Sequence, residues 1–277
     1  MADRTNLDPG NLTPMSASNR AIITLLVIPF LVYIAWLMET FLFEGKLSLF
    51  RTFDPLPFIL YTFVGCILIG TIVPVFLIQR SFLSRSVNMF QIGFRLPWRT
   101  LVICTLTAIA CIFTLMFFGP SDISRPVLFA LFLLCLPTGI ASVMVCWVLV
   151  GTHLQALVRA GGMLVAIPTG VAVTSILFGL TSLAHTPAAG VQDPLVPMIL
   201  LGMVTALSFF ALRDVYASVM VITTGMVLLF PARTDTTALA GAFPLVALCA
   251  LAAFAALLGI HVYFSRRFAT VIVVPDP

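Results

Sequence analysis

PVLFALFLLCLPTGIASVMVCWVLV, residues Pro126–Val150, runs for 25 positions without a charged side chain. About 20 apolar residues in helical form cross about 30 Å of hydrocarbon. A run this long and uniform suits a bilayer rather than the half-polar surface of a soluble domain. The same pattern recurs on either side of it. Apolar blocks occupy Ala21–Phe43, Pro57–Ile78, Thr100–Phe118, Met163–Ala184, Leu195–Leu212, Val215–Phe230 and Ala238–Phe264. They are continuously apolar and do not alternate, which excludes an outer-membrane barrel. The chain of 277 residues is 61% hydrophobic and 9% charged, with a mean hydropathy of +1.17. A soluble domain of this length could not hide so much apolar surface. The predicted fold is all-α: a polytopic transmembrane helical bundle of about eight spans.

The domain plan follows from these blocks. Residues 1–20 form a polar N-terminal tail, 21–264 the transmembrane domain and 265–277 a second tail. The first block is too long for the apolar region of a signal peptide and is read as a retained helix. Only Arg213 and Asp214 separate the sixth and seventh blocks. The two should form a tight helical hairpin with its tip at a membrane surface. Ten of the fourteen Lys and Arg residues fall on the side of the N-terminus, and Lys46, Arg51, Arg125 and Arg233 on the other. That bias places both termini in the cytoplasm. The net charge of +4 then reports topology and contact with anionic lipid, not nucleic acid.

The longest polar connection is Gln79–Arg99, QRSFLSRSVNMFQIGFRLPWR. Its basic and aromatic residues interleave, as in a segment lying at the cytoplasmic interface. Arg80, Arg85, Arg95, Trp98 and Arg99 are the expected lipid contacts. All six cysteines lie in apolar blocks, without CxxC or Cys/His clustering. They are read as small hydrophobes, with no metal site and no disulfide. Glu39 and His261 lie inside spans, and His153 and His185 just past span ends. Each is within about two turns of a surface, where snorkelling or water satisfies it. No span centre carries Asp, Glu, Lys or Arg, which argues against an ion-coupled carrier of the usual kind. Gly162, Ala166 and Gly170 repeat at i+4 and are expected to pack inside the bundle.

Four stretches together resemble the CAAX-protease and bacteriocin-processing (CPBP, or ABI) intramembrane proteases. IGFRLPWRTL, Ile92–Leu101, is similar to the family's cytoplasmic GLR.P.W segment. VCWVLVG, Val145–Gly151, stands where members carry EExxxRG, and FGLTS, Phe178–Ser182, where they carry FxxxH. Gly202–Val227 follows the outline of the family's last hairpin. The resemblance covers a core of about residues 92–230. It implies a membrane-embedded polar cavity in which glutamates and histidines activate water.

The departures bear on function. Position by position, the paired glutamates fall on Val145 and Cys146 and the arginine on Val150. The FxxxH histidine falls on Ser182, the last histidine near Thr223 and the asparagine near Val227. These are remnant-pocket positions: none supplies a general base or a metal ligand set, so no catalytic residue is assigned. His185, three residues past Ser182, is a candidate polar contact at a helix end, where it can bond free carbonyls. The preferred function is a non-catalytic, CPBP-like protein of a bacterial inner membrane. It would serve another integral membrane protein as accessory subunit, scaffold or assembly factor. The alternatives are an intramembrane peptidase with displaced residues, and a lipid-, pigment- or small-molecule-binding bundle or transporter. No cofactor is required, although a bound lipid or pigment is compatible. Partners are other membrane proteins and lipids. The first and last spans are expected on the outside, with the tail Phe268–Pro277 at the partner contact.

Overall fold

A computed structural model describes residues 23–47, 49, 53–83, 89–94, 97–121, 123–158, 162–184, 194–229, 239 and 241–268. Among them there is no strand. Seven helices are long and apolar enough to cross a membrane: α1 (Leu25–Lys46), α2 (Pro55–Ser81), α3 (Pro97–Phe118), α4 (Arg125–Leu157), α5 (Met163–Ala184), α6 (Leu195–Leu212) and α8 (Phe243–Arg267). Between α6 and α8 lies the shorter apolar helix α7 (Val215–Leu229). Helical hydrogen bonding keeps the backbone polar groups within each segment, as hydrocarbon requires. Hydroxyls do the same locally. Ser142, Thr174, Ser175 and Thr205 each donate to the carbonyl four residues back.

The bundle is built around α4. Helices α1, α2, α5, α7 and α8 all pack on it. Every residue from Pro137 to Gln155 is buried, as expected of a helix that is hydrophobic all round. Four described stretches have widened turns with π-helical bonding: Ile23–Val27 at the start of α1, Phe41–Lys46 at its end, Tyr61–Ile72 in α2 and Val143–Gly151 in α4. Such segments are uncommon and often mark functional sites. Helix α6 packs against α5 and α7, and α3 against α7. No residue of α3 is buried. The most exposed helix is therefore an internal one, not the first or last. In lipid, apolarity does not mark a helix as central.

Small residues bring α5 and α6 together. A Cβ at Gly202 would stand 3.0 Å from the Ser175 carbonyl oxygen, and one at Gly179 would overlap Ile199. Ala166 and Gly170 face inward, but Gly162 does not share their packing. It precedes α5 with φ +78°, and a Cβ there would meet nothing within 4 Å. Its role is conformational: it turns the chain into the helix.

The α6–α7 hairpin forms as the spacing predicts, with Arg213 in the left-handed conformation at φ 51°. Its tip is not open. Asp214 is fully buried, because the segment 91–94 and the start of α3 cover it. Gly93, at φ +82°, presents its carbonyl to the Val215 amide at 3.2 Å.

Candidate functional site

The positions expected to mark a remnant pocket lie on three helices. Val145, Cys146 and Val150 occupy the widened stretch of α4 and are buried. Opposite them stand Tyr33 of α1 and Phe178 of α5. The Tyr33 hydroxyl donates to the Leu177 carbonyl at 2.7 Å and lies within electrostatic range of Cys146. The Phe178 ring packs on Trp147, with centroids 5.3 Å apart. Thr223 on α7 lodges against Gly139, about two turns earlier on α4, and Val227 is buried beyond it. Ser182 sits in the tight turn Thr181–Ala184, whose main neighbours are the end of α1 and α6. Val145, Cys146 and the FGLTS phenylalanine thus come together, whereas Ser182 lies at the Lys46 end of the bundle. The Ser182 and Thr223 hydroxyls are buried without a hydrogen-bond partner. His185 lies outside the described residues.

A polar network closes the Arg213 end. Arg213 donates to the Gln91 carbonyl at 3.2 Å and to Gln155 Oε1 at 3.1 Å, and its guanidinium stacks 5.2 Å over Phe210. Asp214 caps α7 by accepting the Ala217 amide at 2.9 Å, and the Cys104 thiol approaches the same oxygen at 3.8 Å. Burial raises the Asp214 carboxyl above its ordinary value, and the Ala217 amide pulls the other way. His153 lies 2.6 Å from Ser81 Oγ, and His261 lies 3.0 Å from the Tyr216 hydroxyl. Both histidines are buried and bonded inside the protein, which corrects the expectation that water or snorkelling satisfies them. Of the expected lipid contacts, Arg80, Trp98 and Arg99 are exposed. Arg85 and Arg95 lie outside the described residues.

A second cluster lies toward the Lys46 end. The Glu39 carboxyl is lodged against Gly65 of α2, and neither oxygen has a hydrogen-bond partner. The carboxyl is turned onto α2, which corrects the expectation that Glu39 snorkels to the membrane surface. Beside it the Tyr61 hydroxyl and Thr138 Oγ1 are 3.2 Å apart. Tyr61 and Cys66 lie within electrostatic range of both Glu39 and the buried Glu44. The six cysteines are unbonded to one another, and among the described residues no three His, Cys, Asp or Glu side chains gather to hold a metal.

No family model, curated protein or solved structure matches the chain.

The aligned motifs do not reach α1, so Tyr33 and Trp36 were not among the expected site residues. A signal was available. Tyr33, Trp36 and Thr40 recur at helical spacing through an otherwise aliphatic span, and all three are buried.

Proposed function

We propose that this protein is a non-catalytic, CPBP-like integral membrane protein of a bacterial cytoplasmic membrane. It crosses the bilayer eight times with both termini in the cytoplasm. It serves another membrane-protein complex as accessory subunit, scaffold or assembly factor. The observation that carries this reading is how the aligned positions are filled. Val145, Cys146 and Val150 are packing residues in the most buried stretch of the bundle. Proton transfer needs a group of suitable basicity within hydrogen-bond reach of the reacting atom, and neither valine carries one, while the Cys146 thiol is fully buried. A scaffold that keeps its helices without the chemistry acts through its surface. Support comes also from α3, whose Leu106, Phe113, Phe117 and Phe118 stand open on the bundle's flank. Helices α6 and α7, at 18 and 15 residues, are short for full crossings, and local thinning of the bilayer accommodates them.

Two measurements test the reading together. Purification from the native membrane in mild detergent should recover a membrane protein in constant ratio to this chain. The purified chain should leave prenylated and leader peptides uncut. Reproducible cleavage that Ser182→Ala abolishes would restore the peptidase reading, and recovery of the chain alone would remove the accessory role.

A further inference from the structure

We propose that Glu39 is the centre of an intramembrane proton-binding site, a carboxyl that takes up and releases a proton inside the bundle. The inference is independent of the partner reading. Glu39 lies seven residues before the end of α1 at Lys46, about 10 Å at 1.5 Å per residue. Both its oxygens are buried and neither has a hydrogen-bond partner. Its seat is provided by α2: a Cβ at Gly65 would overlap the carboxyl, so glycine is the residue that makes the room. The same side of α1 carries Trp36 and Thr40, three residues before and one after. Their indole nitrogen and hydroxyl are likewise buried and without a partner. This part of the interior therefore holds polar groups in excess of what the protein satisfies.

Among the described residues no cation stands beside the carboxyl and no donor bonds it, and a buried charge left so is neutralised or paired. Among the described residues, the groups around it supply no positive charge. From α2 come Tyr61 and Cys66, and from α4 Thr138 and, beside Glu44, Cys135. On α1 itself Glu44 shares Tyr61 and Cys66 as neighbours. The one cation on this end of α1, Lys46, is exposed and stands 5.9 Å over the Phe41 ring. A metal ion would need ligands that are not gathered among the described residues. A proton needs no vacant space, and binding it removes the buried charge.

Carbodiimide chemistry tests this directly on the detergent-purified full chain. The O–H of a protonated carboxyl adds across a C=N bond of the reagent to give an O-acylisourea. The acyl group then migrates to nitrogen as a stable N-acylurea, and nothing is lost. Dicyclohexylcarbodiimide should modify Glu39, as read by peptide mass spectrometry, while a water-soluble carbodiimide should not. Labelling should fall about tenfold per pH unit once the carboxyl begins to ionise. Glu39→Gln should remove the adduct, and Gly65→Ala, by displacing the carboxyl, should lower it. Should Gly65→Ala fail to fold, the pH profile of the wild type still decides. Absence of the adduct from folded protein at every pH, or equal labelling by the water-soluble reagent, would overturn the proposal.

Discussion

His153 must donate through Nδ1, because its neighbour there, the Leu149 carbonyl at 2.7 Å, can only accept. Its Nε2 lies 2.6 Å from Ser81 Oγ, whose hydroxyl is also 3.1 Å from the Leu77 carbonyl, and this contact ties the end of α2 to the end of α4. Removing one member of a buried pair leaves the other unsatisfied. Ser81→Ala and His153→Phe should each cost about 1 kcal/mol, the scale found for polar pairs between membrane helices. The double variant should cost less than the sum. Strict additivity in equilibrium unfolding would mean that the pair carries no coupling. Asp214 supports a pH prediction. Burial raises its carboxyl in the folded protein, so its contribution is fully present below the unfolded value of about 4. That contribution is lost as pH rises through the folded value. Asp214→Asn keeps an oxygen for the Ala217 amide and should flatten the decline in stability above pH of about 4. An unchanged pH profile in the variant would assign the decline to another group. At this scale the sequence was a partial guide. It singled out His153, His261 and Glu39 as polar groups in apolar surroundings, but their partners are 45 or more positions away in the case of Ser81 and Tyr216, and no local pattern encodes such pairs.

Helix boundaries were more legible than partners. The block at Leu195–Leu212 and that at Met163–Ala184 coincide with α6 and α5. In both cases turn-forming polar residues flank the apolar run. The block ending at Val150 was placed too short, since α4 continues to Leu157. His153, expected just past the span end, lies within the helix, and it is buried together with Thr152 and Gln155. Packing along α5 leads to a prediction. A Cβ at Gly170 would stand 3.0 Å from Phe210 Cζ and 3.4 Å from Gln155 Cγ, whereas Leu164 is 92% exposed. Gly170→Leu should therefore cost about 1–3 kcal/mol by overpacking, while Leu164→Ala should stay within about 0.5 kcal/mol. Melting temperatures in the reverse order would place this face of α5 on the outside.

Across the whole molecule, the connections at the Arg213 end form a joined surface. Arg213 reaches both the 91–94 segment and α4, and Phe94 packs on Phe264 of α8 with centroids 5.7 Å apart. At the proposed eight crossings this surface and both termini face the cytoplasm. Single cysteines at positions 4 and 266, in a background without the native six, should react with an impermeant maleimide from the same side of sealed vesicles. Reaction from opposite sides would mean an odd number of crossings and would turn the α6–α7 hairpin into a re-entrant element. The sequence by itself determined the helical membrane class, the approximate position of each long helix and the two-residue hairpin between α6 and α7. These depend on the length of apolar runs and on local turn residues, both measured against a bilayer of known thickness. Only the tertiary structure decided which helix is central and which side of each one faces inward. Helices α3 and α4 are both apolar on every side, yet α3 has no buried residue and the middle of α4 has no exposed one. In water a polar stripe marks the outer face of a helix. In hydrocarbon the outer face is apolar as well, so close packing alone distinguishes inside from outside.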